Sequence, residues 1–264
     1  MNRRALAAAL TAALLVPLAA CGTDEDGAAG DSPRASGTGG APPKAELVVL
    51  AASSLTDVFR TAGAAYEKKH PGTEVTFSFA GSQELAAQVG QGAPADVLVT
   101  ADTKTMDRLG DDTGTPTVIA KNRLVIATTE GNPEGIDELK DLADSELKVV
   151  LAAPEVPVGR YSEQILGAQK ITVKPVSQEP NVRAVLSKVE MGEADAGLVY
   201  KTDAATAEDK VDAVEIPDGQ NAIAQYPAAT LKTSKHSEAA AAFVTWLSGP
   251  EAQRILRDAG FQKP

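Results

Sequence analysis

The chain has 264 residues, 43% of them hydrophobic and 23% charged, with only 4% aromatics and a formal net charge of −11. That length suits one large domain or two small lobes around a substantial core, and the balance excludes a disordered or fibrous protein. The acidity excludes a nucleic-acid binder that displaces counterions from phosphate and adhesion to anionic lipid through a basic patch. One cysteine and two histidines, His70 and His236, exclude an intrachain disulfide, a Cys-rich cluster and a multi-histidine metal site.

Arg3 and Arg4 precede an almost wholly apolar run, Ala5 to Ala20, too short and alanine-rich for a membrane span. Residues 1–20 are therefore expected to be a secretion signal. Leu18-Ala19-Ala20-Cys21 resembles the lipobox of bacterial lipoproteins, which implies lipidation of Cys21 as the new N-terminus. The alternative is an ordinary signal followed by an incidental thiol. Cleavage would remove both arginines and no acid, taking the net charge to −13. Residues 21–44 carry no large apolar side chain and are expected to be a lipid-anchored, disordered tether. On flexible-chain scaling its span is roughly 25 Å.

From Ala45 the pattern becomes that of a folded α/β protein. Glu46 to Ala51 is a strand, and Ser54-Leu55-Thr56-Asp57 a capping-box-like helix start continued by Val58, Phe59, Ala62 and Tyr66 at helical spacing. Val75, Phe77 and Phe79 alternate as a second strand ended by Gly81-Ser82, and Leu85, Ala86 and Val89 mark the next helix. Asp96 to Ala101 is a buried strand and Asp102 to Leu109 a short helix. This β-α-β-α-β-α order predicts a mostly parallel sheet covered by helices.

Beyond Arg123, strands are predicted at Leu124 to Thr128, Leu147 to Ala152, Asp195 to Tyr200, Val211 to Ile216 and Ile223 to Leu231. Helices are predicted at Ile136 to Leu142, Gly159 to Gln169, Asn181 to Gly192, Ser237 to Leu247 and Pro250 to Ala259, the last with proline at its start.

Ser53-Ser54 and Gly81-Ser82 both stand where a strand's C-terminal end meets a helix N-terminus. Such positions offer unpaired N–H groups and a partial positive charge to an anion, although serine before a helix commonly serves only as an N-cap. Pro157-Val158-Gly159 and Asn181-Val182-Arg183 open helices in the same way. Tyr200 closes a strand where its hydroxyl faces either the same crevice or the rim. Serines at such turns also suggest a hydrolase, but no Gly-x-Ser-x-Gly elbow is present and each histidine has a local surface explanation.

Several runs, in order and spacing, resemble the molybdate-binding proteins of bacterial ABC importers. They are Ala51-Ala-Ser-Ser54-Leu-Thr-Asp57, Phe79-Ala-Gly81-Ser82, Gly92-Ala-Pro-Ala-Asp96, Asn122-Arg-Leu-Val125, Val156-Pro-Val-Gly159, Asn181-Val-Arg183, Gly192-Glu-Ala-Asp195, Tyr226-Pro227 and Phe243 to Phe261. The resemblance covers residues 46–262. It implies a type II periplasmic-binding-protein fold: two α/β lobes with mostly parallel sheets, joined by hinge strands. It places the first part of lobe 1 at 45–124, lobe 2 at 125–221 and the return to lobe 1 at 222–264.

The resemblance further implies an extracytoplasmic receptor, not an enzyme and without a cofactor, anchored to the membrane through Cys21. As a monomer it would deliver molybdate or tungstate to ABC permease subunits. The oxyanion would be held by the hydroxyl and N–H of Ser54 and Ser82, the N–H of Val158 and Val182, and the hydroxyl of Tyr200. Molybdenum would be bound only as molybdate, through these residues. Two departures bear on selectivity: Gln83 and Glu84 follow the second serine, and Glu84 is either a solvated capping charge or a modifier of the pocket. Arg160 and Arg183 are expected on the solvated face, with steering of anions as the alternative. A sulfate, thiosulfate or phosphate receptor of the same fold is the rival reading, and a serine hydrolase a remote one.

Overall fold

The computed structural model describes residues 45–264, so the expected signal, Cys21 and the tether lie outside the described residues. The described residues form one compact unit. Among the described residues, no helix is long and apolar enough to cross a membrane.

β1 (Ala45–Ala52) is apolar almost throughout because both its faces are covered. Leu47, Val49 and Ala51 enter the large core cluster, while Leu50 points the other way into a smaller cluster with Leu85, Leu98 and Met106. β1 pairs in parallel with β2 (Thr73–Ala80) on one side and β3 (Val97–Val99) on the other. α1 (Thr56–Lys69) packs against β2. α2 (Ser82–Gly90) and α3 (Thr103–Asp107) touch each other across the opposite face. The chain between β1 and α1 makes a 3-10 turn, Ser53–Leu55, so the helix begins later than its serines suggest.

β4 (Thr117–Thr129) is the longest strand and belongs to both halves of the molecule. Its first part, Thr117 to Arg123, pairs antiparallel with β9 (Ile223–Thr230), which also borders β3. Its second part, from Leu124, pairs antiparallel with β7 (Ala196–Tyr200) and β8 (Val211–Glu215). In this second half β5 (Val149–Ala152) is parallel to both β7 and β6 (Ser177–Glu179). The strand order is β2-β1-β3-β9-β4-β7-β5-β6, with β8 on β4. Parallel pairing thus lies within each half, and the long antiparallel strands join them. The junction is clamped by Asn221, whose amide receives Leu124 N–H at 3.1 Å and donates to Leu124 O at 2.9 Å.

The second half carries α4 (Pro157–Ala168), α5 (Val182–Glu190) and the short α6 (Lys201–Ala204). α7 (Ser237–Leu247) and α8 (Pro250–Asp258) return to pack on the first half. The Ile136 to Leu142 helix is replaced by a 3-10 turn at Leu139–Ala143. β6 and α6 had no sequence counterpart: three residues or one turn show no periodicity.

Candidate anion-binding site

The chain leaves the C-terminal ends of β1, β2, β5, β6 and β7 toward one point between the two halves. Ala52, Ser53, Ser54, Ala80, Gly81, Ser82, Ala101, Val156, Pro157, Val158, Asn181, Val182 and Tyr200 line a cavity there. Its space for the centre of a water-sized sphere is about 10 Å³. A surface cleft beside Glu46 and His236 offers about 530 Å³ by the same measure. All five residues singled out from the sequence are in the lining. Ser54, Ser82, Val158, Val182 and Tyr200 are each buried, none more than 3% exposed.

The helix starts facing this cavity leave their first N–H groups free of intrahelical partners. α4 is preceded by Val156, which has no side-chain cap to offer. Its start is held close to the end of β5 by Gly159, where a Cβ would sit 2.1 Å from Ala153 O. Asn181 caps α5 through Ala184 N–H at 3.0 Å, which leaves the Val182 N–H uncapped. Gly81 precedes α2, and its own N–H goes to the exposed Glu84 carboxylate at 2.9 Å. Glu84 is therefore a capping charge turned back onto its own helix, absent from the cavity lining.

Of the hydroxyls of Ser54, Ser82 and Tyr200, two have defined partners. Ser82 Oγ accepts from Ala101 N–H at 3.0 Å, leaving its proton available. Ser54 Oγ lies 3.0 Å from the hydroxyl of Tyr226, itself fully buried. The Ser54 side chain does not cap α1, contrary to the capping-box reading. The Tyr200 hydroxyl is buried without any hydrogen-bond partner. Burial, with Tyr226 nearby, pushes its pKa well above the ordinary tyrosine value, so at neutral pH it is a donor. An unpartnered buried hydroxyl is costly unless something completes it. The cavity wall contains no charged side chain and no histidine.

Charge appears immediately behind this wall. Arg160 and Arg183 do not lie on the solvated face: their side chains are 14% and 25% exposed and paired with carboxylates. Arg160 bonds Asp102, Arg183 bonds Asp57 and Asp203, and none of these five residues lines the cavity. The sequence reading gave Tyr226 and Asp102 no role at the site. The only trace of Asp102 was an acid placed directly after a buried strand, where it caps α3 through Thr105 N–H at 3.0 Å.

Residues 47–262 match the model of the family described as bacterial extracellular solute-binding protein. The chain belongs to this family. Its members are solute-binding proteins, not enzymes, and the molybdate-binding resemblance is shown by individual relatives. A Mycobacterium tuberculosis solute-binding protein named molybdate-binding protein ModA is 40% identical over 263 residues, 98% of either chain. Among solved structures, the substrate-binding domain of a putative molybdenum ABC transporter from Clostridium difficile superposes with a TM-score of 0.63 at 29% identity. That match covers 83% of this chain and 99% of the other. A sulfate-binding protein, SubI of M. tuberculosis, superposes with a TM-score of 0.74 at 19% identity, covering 83% and 87%. The fold therefore does not choose the anion; the lining must.

Proposed function

We propose that the protein captures molybdate, and its near-isostere tungstate, from the extracytoplasmic medium and presents it to the permease of an ABC importer. Cys21 would carry the lipid anchor. The observation that carries this reading is the buried, partnerless Tyr200 hydroxyl in a cavity walled by neutral donors. A fully ionised tetrahedral oxyanion offers only acceptors, and it would complete Tyr200 while receiving the hydroxyls of Ser54 and Ser82 and the N–H groups of Val158 and Val182. Preset dipoles replace its hydration shell without a buried counter-charge.

The lining also bears on the rivals. Monohydrogen phosphate needs an acceptor for its proton, and no carboxylate lines the cavity; Glu84 is exposed and engaged with Gly81 N–H. Sulfate remains the competitor, separated from molybdate by size alone. The mechanism is closure of the two lobes, which we divide at 124/125 and 221/222, around the anion. The ligand bridges them and so favours the closed form that the permease reads.

A thermal-shift panel with molybdate, tungstate, sulfate and phosphate tests this. At about 100 times its dissociation constant the true ligand adds roughly 2.7 kcal/mol. Stabilisation by molybdate and tungstate is expected; stabilisation by sulfate or phosphate alone would assign a different receptor.

A further inference from the structure

Five contacts cross between the halves at the mouth of the cavity, and none of the side chains that make them belongs to its lining. Arg160, on α4, donates through Nε to Asp102 at 2.9 Å and through Nη2 to both Asp102 and Thr105 Oγ1, the latter at 2.7 Å. Arg183, on α5, reaches Asp57 on α1 at 2.8 Å. Gln83, on α2, donates to Pro180 O at 2.8 Å. The backbones meet beside it: a Cβ on Gly81 would lie 2.5 Å from Pro180 O.

Each arginine is also held on its own side. Arg160 Nη1 bonds the carbonyl of Glu155, and Arg183 Nε bonds the wholly buried Asp203 at 2.6 Å. A guanidinium anchored on one half is thereby aimed at a carboxylate of the other, which lowers the entropy lost in pairing. The four clasping positions sit beside residues of the cavity lining in sequence: Asp57 three residues after Ser54, Arg160 two after Val158, Arg183 next to Val182, Asp102 next to Ala101. Any opening that separates the donors of one half from those of the other must also break these pairs.

We propose that Arg160 and Arg183 form a two-point clasp that sets how long the anion is held without touching it. They are positioning residues for the closed state. The clasp has a second effect: Asp57 and Asp102 would repel a dianion from an open cleft, and closure neutralises both. The two points are unequal. The Arg160–Asp102 pair is nearly buried, at 14% and 6% side-chain exposure, whereas Asp57 is 53% exposed and its pairing with Arg183 is partly screened.

This inference rests on the anion reading above, and one kinetic experiment separates their failures. Radiolabelled molybdate is loaded onto the purified protein and its release followed after an unlabelled chase, at low and high salt. Arg160→Gln is expected to release the label roughly tenfold faster or more, with an unchanged association rate and ligand-free melting temperature. Asp57→Asn should speed release only about two- to threefold. Raising the salt should speed wild-type release more than that of Arg160→Gln. Should Arg160→Gln fold poorly, Asp102→Asn removes the same pair while keeping an N-cap oxygen for Thr105, and should match its release rate. Release from these variants within twofold of wild type at both salts overturns the clasp alone. Wild-type protein that retains no label overturns the anion reading and the clasp with it.

Discussion

The cavity wall and the rim one to three residues behind it are built on opposite principles. The wall, from Ser54 to Tyr200, is neutral, buried and incompletely hydrogen-bonded. The rim is charged and paired, with Arg160 and Arg183 set against Asp57, Asp102 and Asp203. A bound dianion would thus be met by fixed dipoles, while full charges are set against one another across the cleft. The difference teaches that recognition and closure can be placed in adjacent residues yet rest on separate interactions, and substitutions should affect one without the other.

The largest effect is expected at Gly159, which places the start of α4 against the end of β5. In Gly159→Ala the added Cβ would meet the Ala153 carbonyl at 2.1 Å, and that backbone cannot yield cheaply. We expect about 3 kcal/mol of destabilisation in urea melts and loss of measurable anion binding, because the Val158 N–H moves with the helix. Wild-type affinity in this variant would show that the α4 start does not contribute to the wall.

Asp203 breaks the comparison from the rim side. Burial raises its pKa from 3.8 to about 6, and the neighbouring Arg183 offsets only part of the shift. One of its oxygens has no partner. Because the folded chain holds this proton more tightly than the unfolded chain, stability falls as pH rises from about 4 to about 6. The full penalty, about 3 kcal/mol, is present above that window. Asp203→Asn should therefore melt with wild type near pH 4 and above it at pH 7. Parallel pH profiles for the two proteins would refute the assignment.

Tyr200→Phe sharpens the wall. It removes a donor that has no partner in the protein itself, so the ligand-free melting temperature should stay level or rise. Anion affinity, measured by calorimetry, should drop roughly 10- to 100-fold, the worth of one hydrogen bond to a charged group. A loss of stability without a loss of affinity would point to a purely structural hydroxyl. The smallest effect belongs to Glu84→Gln. Glutamine can keep the bond to Gly81 N–H, so stability should change by less than about 1 kcal/mol and the order of preferred anions not at all. A change in that order would return Glu84 to the pocket.

Much of this arrangement was legible before any coordinates. α7 runs from Ser237 to Leu247 as its apolar spacing predicts, and β1, β2 and α2 lie where alternation and turn residues put them. β4 was harder: only Leu124 to Thr128 stood out, because its first part carries Lys121, Asn122 and Arg123 and a register shift between Val118 and Ala120. At the site, strand-to-helix junctions marked the serines and the two helix starts. They gave no sign that Ser54 would turn to Tyr226, or that the arginines beside the donors would point across the cleft.

The sequence by itself determined which short segments become strands and helices and which junctions expose N–H groups, because those depend on periodicity, capping chemistry and proline or glycine at particular positions. Only the tertiary structure decided that five such junctions meet at one point and that the charges next to them cancel in pairs between the halves. Burial and long-range pairing depend on which residues of distant segments become neighbours, and for Arg160 and Asp102 that neighbour stands 58 positions away.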